Sequence, residues 1–138
     1  MQFGHWIMAG FFAAGTVALA ASSPIAGQKR PLAMLDGLAD GRWEMRIRGE
    51  RKPAQRLCLM DGTQLIQLRH AGLNCERTII EDSSDSVTVQ YTCRGQGYGR
   101  THIRRETPQL VQLDSQGVAG GLPFEFSAEV RRVGDCGH

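Results

Sequence analysis

Lysine is scarce in this chain. Lys29 and Lys52 stand against 14 arginines in 138 residues. Charged residues make up 22% and the formal net charge is only +2, too small by itself to steer a polyanion. Aromatics are few, at 7%, and no series of them interleaves the basic positions as a nucleic-acid platform requires. There is no G-x-S-x-G, so no nucleophile elbow is legible. There is no C-x-x-C, and 16, 17 and 42 residues separate the four cysteines. Those spacings match no zinc pattern and leave no metal or redox role to expect. Strand-like segments never alternate with helical ones, which excludes a βαβ architecture and points to an antiparallel sheet.

One long apolar run is present. Trp6 to Ala21 is uninterrupted over 16 residues, short of the roughly 20 that a membrane-spanning helix needs. It reads instead as the core of a signal peptide. Ala18–Ala20 fits the A-x-A cleavage rule, and Ala26 ends a second candidate site. One feature is off pattern: only His5 and the chain's own amine, no Lys or Arg, precede the run. No cysteine follows closely, so lipid modification is not supported. The expected organisation is a signal peptide over 1–20, a flexible leader over 21–37 with a short helical turn near Leu32–Leu38, and a domain over 38–138. The expected destination is export, with the periplasm favoured over full secretion.

Export gives the cysteines a purpose. Cys58, Cys75, Cys93 and Cys136 are an even set in a small chain, which reads as a disulfide framework. Two pairings carry an argument. Cys58–Cys75 with Cys93–Cys136 is favoured, because the first pair flanks a short helical excursion and the second ties down the tail. The rival pairs Cys75 with Cys93, which fall opposite each other if the hairpin turns about Ser84, and Cys58 with Cys136.

Period-two alternation dominates from Arg42 onward. Trp43, Met45 and Ile47 alternate with Arg42, Glu44, Arg46 and Arg48, and a turn, "GERKP", follows. Leu57 and Leu59 share a face in "AQRLCLM". Asp61 and Gln64 form a capping-box pattern for a helix of about two turns, closed by Gly72. Strands resume at "NCERTIIE" and "SVTVQYTC", then "GRTHIRRE" and "QLVQL". "RGQGYG" and "DSQGVAGG" read as turns. "LPFEFSAEVRRV" is the longest alternation, with Leu122, Phe124, Phe126, Ala128 and Val130 inward. The expected fold is mainly β: an antiparallel meander of about seven strands, strongly curved or an open up-and-down barrel, with one short helix.

Several motifs occur in a fixed order: "GRWE" at 41–44, Cys58–Leu59 before the short helix, two mid-chain cysteines, and "RRVGDC" at 131–136. In this set the chain resembles a small exported bacterial family catalogued as domain of unknown function 3617, over roughly residues 38–136. The resemblance implies an exported, disulfide-bonded β-domain and no catalytic residues. One departure is visible: such proteins often carry a Pro/Met-rich stretch in the first hairpin, where this chain has "GERKPAQ".

Candidate sites are few. His70 ends the short helix, where an imidazole meets free carbonyls. Arg100, His102 and Arg104 alternate on one strand face, and two guanidinium forks suit a carboxylate or phosphate. Residues 42–56 hold six basic side chains against Glu44 and Glu50. Together Arg42, Arg46, Arg48, Arg56, Arg100, His102 and Arg104 form the candidate anion or partner face. Glu125 and Glu129 share a strand face about 13 Å apart, too far to act as a catalytic pair. "GQGYG" has a strand behind it rather than the helix a phosphate loop needs. No cofactor is expected. The expected role is a non-enzymatic binding module for a small apolar or amphipathic ligand, held in a pocket among Trp43, Phe124 and Phe126, or for an envelope partner. The alternative is an inhibitor of an exported enzyme. Membrane contact is expected only at the surface, and no nucleic-acid partner is.

Overall fold

The computed structural model describes residues 31–137. The expected signal peptide, its cleavage sites, the leader up to residue 30, and His138 lie outside the described residues. Seven antiparallel strands form one open sheet: β1 (Gly41–Ile47), β2 (Gln55–Leu59), β3 (Glu76–Asp82), β4 (Ser86–Cys93), β5 (Gly97–Thr107), β6 (Leu110–Ala119) and β7 (Leu122–Gly134). Their order is β2-β1-β7-β6-β5-β4-β3. Chain neighbours are sheet neighbours everywhere except between β2 and β3, and β1 pairs with β7. This is the order of an up-and-down barrel opened between β2 and β3.

Residues 60–75 therefore cross from one sheet edge to the other. They contain two 3-10 turns, Gly62–Leu65 and Leu68–His70. The expected capping box is present: the Thr63 N–H donates to Asp61 Oδ1 at 2.8 Å and the Asp61 N–H to Gln64 Oε1 at 3.1 Å. A regular helix does not follow, because Leu65, Ile66 and Gln67 are buried in succession and no single helical face could bury all three. The crossover instead lies over the inner face of the sheet. Leu65 and Ile66 are fully buried against a layer that includes Trp43, Val89, Tyr91, Ile103, Leu113 and Val130.

The one α-helix among the described residues is α1 (Ala33–Asp36). Leu32, Met34, Leu35 and Leu38 belong to the core, and the Leu32 N–H donates to Asp82 Oδ2 at 3.0 Å. The expected flexible leader is thus corrected: the folded domain includes its last residues, because this short apolar helix supplies part of the lid on the inner face.

The favoured disulfide pairing is also corrected. The bonds are Cys58–Cys136 and Cys75–Cys93. Cys58 and Cys75 stand at opposite sheet edges, so the segment between them is a span rather than a local excursion. The β3–β4 register pairs Glu76 with Thr92, which sets Cys75 directly across from Cys93 with Cα atoms 4.3 Å apart. Cys136 follows Gly134, and both Gly134 and Cys58 flank Arg42 on β1. The tail cysteine thus reaches across the start of β1 and fastens β2 to the exit of β7.

Two expected turns are strand. β5 starts at Gly97 and β6 runs to Ala119, so "GYG" and "QGVA" belong to the sheet. Glycine is unfavourable in a strand unless space demands it. At Gly99 a Cβ would lie 2.4 Å from the Tyr91 hydroxyl, since that ring lies across the backbone there. At Gly117 a Cβ would meet the Tyr98 carbonyl at 2.1 Å.

Candidate functional site

Among the described residues, Trp43, Phe124 and Phe126 belong to a filled inner layer rather than to the expected open ligand pocket; the cavity that Phe126 lines there is about 80 Å³. Trp43 is fully buried, Phe126 is buried and Phe124 half-buried; apolar residues of α1 and the crossover belong to the same cluster. Buried polar groups there are mutually satisfied. The Thr101 hydroxyl donates to the Ile66 carbonyl at 2.6 Å and meets the Ser115 hydroxyl at 2.8 Å. His70 is buried, with Nε2 3.2 Å from the Gln96 carbonyl and Nδ1 3.1 Å from the Tyr91 hydroxyl. A carbonyl only accepts, so Nε2 carries the proton and Nδ1 accepts from Tyr91. His70 thus ties the crossover to the β4–β5 turn rather than capping its own turn. Burial pushes the Tyr91 phenol above the ordinary tyrosine range.

A broad groove opens on the outer face. It has a volume of about 680 Å³ and lies over β4–β7 near the β4–β5 and β6–β7 turns. Cross-strand register builds its floor. Gln90, Arg100, Gln116 and Glu125 form one row across four strands. Tyr98, Val118 and Pro123 form the next row toward the turns, and Tyr98 is 52% exposed. A smaller groove of about 320 Å³ adjoins it and shares Arg100, Gln116 and Glu125.

A polar row borders this second groove: Thr88, His102, Asp114 and Ser127 stand side by side. The Thr88 hydroxyl lies 3.1 Å from Glu81 Oε2 and 2.9 Å from His102 Nδ1. Thr88 has one proton to give, so donating it to Glu81 requires His102 Nδ1 to donate in turn. Hydrogen bonds from Ser86 and then Thr88 hold the Glu81 carboxyl below the usual glutamate range. The Ser127 hydroxyl donates to Asp114, not to His102. A serine nucleophile needs its base within hydrogen-bond reach, and here the hydroxyl is directed to a carboxylate instead. Among the described residues, no three His, Cys, Asp or Glu side chains converge as a metal site needs.

The seven residues of the expected anion face all lie on the outer side but do not converge. Arg100, His102 and Arg104 follow one another along β5. Arg42 and Arg46 are on β1, Arg48 just beyond it and Arg56 on β2. Three strand spacings, about 14 Å, separate β1 from β5. Acidic neighbours interleave: Glu44 sits 3.5 Å from Arg46, Glu106 3.1 Å from Arg104 and Glu81 3.9 Å from His102. The face is charge-mixed rather than a basic patch. Only Arg100 and His102 of the seven line the outer grooves. Gln90, Gln116, Asp114 and Ser127 were not legible as site residues, because register alone brings them beside Arg100.

No family model matches the chain, and neither a curated protein nor a solved structure does.

Proposed function

We propose that this protein is an exported, non-enzymatic binding module of the cell envelope that holds a small amphipathic ligand on its outer face. Two disulfides suit an oxidising compartment. Among the described residues no helix is long and apolar enough to cross a membrane. The ordered motifs ending in "RRVGDC" support membership of the family resembled, domain of unknown function 3617. The observation that carries the reading is the outer groove itself: an exposed tyrosine beside amides and unlike charges, the mixture with which ligand sites fix orientation. An envelope partner docking at the same groove is the related form of this reading.

Native mass spectrometry of the full chain, purified from its own envelope fraction without detergent or reductant, tests it. The expected spectrum shows the mass deficit of two disulfides, a shortened N-terminus and a discrete adduct released on denaturation. Tyr98→Ala removes the adduct. A clean apo mass, or an adduct indifferent to Tyr98, overturns the ligand reading; an intact N-terminal segment or free thiols overturn export.

A second reading, an inhibitor of an exported enzyme, draws on the β1–β2 hairpin. Residues 48–53 are exposed throughout, and Lys52 pairs with Glu50 at 3.4 Å. Protection of this loop on complex formation with an exported enzyme would favour it over the groove.

A further inference from the structure

Several outer-face charges are paired locally, and those of the groove floor are not. Glu44 meets Arg46, Glu129 meets Arg131 at 3.4 Å, and Arg104 meets Glu106. Arg100 and Glu125 have no ionic partner among the described residues, although they stand in one row. Gln116 separates them. Two strand spacings put their backbones about 10 Å apart. The groove therefore presents a guanidinium at one side, a carboxylate at the other and a neutral amide between. Along one flank runs the apolar row of Tyr98, Val118 and Pro123.

From this dipolar floor we infer that the ligand is a short peptide with free termini, about three residues long. This rests on the binding reading above and gives it a chemistry. An extended tripeptide spans about 10 Å, which matches the separation of the two strands that carry the charges. Its terminal carboxylate meets the Arg100 fork, the geometry in which arginine binds carboxylates bidentately. Its ammonium meets Glu125. The central side chain lies on Tyr98 and Val118, while Gln116 serves the peptide groups. A ligand capped at either end leaves one protein charge facing a neutral group, which is how the site discriminates.

The test is a two-dimensional amide NMR titration of the full chain with Ala-Leu-Ala, its N-acetyl form and its C-terminal amide. The free peptide is expected to shift the amides of Arg100, Gln116 and Glu125, and each cap to weaken binding about tenfold or more. Arg100→Gln should abolish the preference for acid over amide and keep that for amine over acetyl. Glu125→Gln should do the reverse. Both side chains are exposed, and circular dichroism checks that the variants fold. Equal affinity for the three peptides, or shifts confined to other surfaces, overturns the dipolar assignment. If no peptide shifts the groove while a Tyr98-dependent adduct persists, this inference fails and the binding reading stands. Loss of both removes both.

Discussion

Single side chains set how this sheet is filled and how it responds to pH. Trp43 is fully buried and its indole N–H donates to the Ala39 carbonyl at 2.9 Å. Trp43→Ala should cost about 3–5 kcal/mol in urea unfolding, the range for emptying a large aromatic site. Gly99→Ala places a methyl against the Tyr91 ring. Overpacking of that kind costs about 1–3 kcal/mol, and Tyr91→Ala in the same chain should recover the clash but lose the ring. Two titrations have opposite signs. Glu81 has its carboxyl lowered by the Ser86 and Thr88 hydroxyls. Its contribution is therefore present above the ordinary glutamate value and lost as pH falls below it. Glu81→Gln should flatten the acid limb of a stability–pH curve. Tyr91 is raised by burial. The folded state favours the neutral phenol, so stability holds below about pH 10 and declines as pH rises beyond it. Tyr91→Phe should remove that alkaline decline while costing the hydrogen bond to His70, measured by thermal unfolding from pH 8 to 11.

Elements are held by cross-links at opposite ends of the sheet. Cys75–Cys93 staples the open end of the β3–β4 hairpin, across 18 residues of sequence. Cys58–Cys136 closes 78 residues and joins edge strand β2 to the tail. By the chain-entropy estimate, removing the first should cost about 3 kcal/mol and the second about 4.5. Paired Cys→Ser variants compared by urea midpoint check the order. A larger loss from Cys75–Cys93 would mean that edge strand β3 depends on its staple more than the chain entropy indicates. That dependence has a structural basis to test, since every residue of β3 is exposed. The turn at Ser83–Ser86 adds local fixation, with the Ser83 N–H donating to the Ser86 carbonyl at 2.9 Å.

The described fold is an open sheet whose inner face is covered by its own crossover. A strand ladder opened between β2 and β3 leaves an inner face that water would otherwise reach. Leu65, Ile66 and the residues of α1 cover it. Leu65→Ala should cost about 2–5 kcal/mol and make unfolding less cooperative, because the plug contacts several strands at once. The chain enters at Leu32 beside the β3–β4 turn and leaves past Gly134, at the same end of the strands. The groove lies at the other end, beside the β4–β5 and β6–β7 turns.

Much of this was legible from local pattern. Alternation along 42–48, 86–93 and 122–133 located β1, β4 and β7, since a half-buried strand must show one apolar face. The Asp61–Gln64 capping box was legible because its partners are three residues apart. The extent of β5 and β6 was not. Glycine's low strand propensity disguised Gly97–Gly99 and Gly117, whose lack of a side chain answers to a ring and a carbonyl from neighbouring strands. The disulfide partners followed the same division. An even cysteine count told of cross-links, but which sulfurs meet depended on the crossover spanning the sheet. Sequence by itself determined the antiparallel β class, because side-chain period is a property of the strand alone. Only the tertiary structure decided the site. Arg100 and Glu125 are 25 positions apart in the chain, and the register of three strands is what makes them the two ends of one groove.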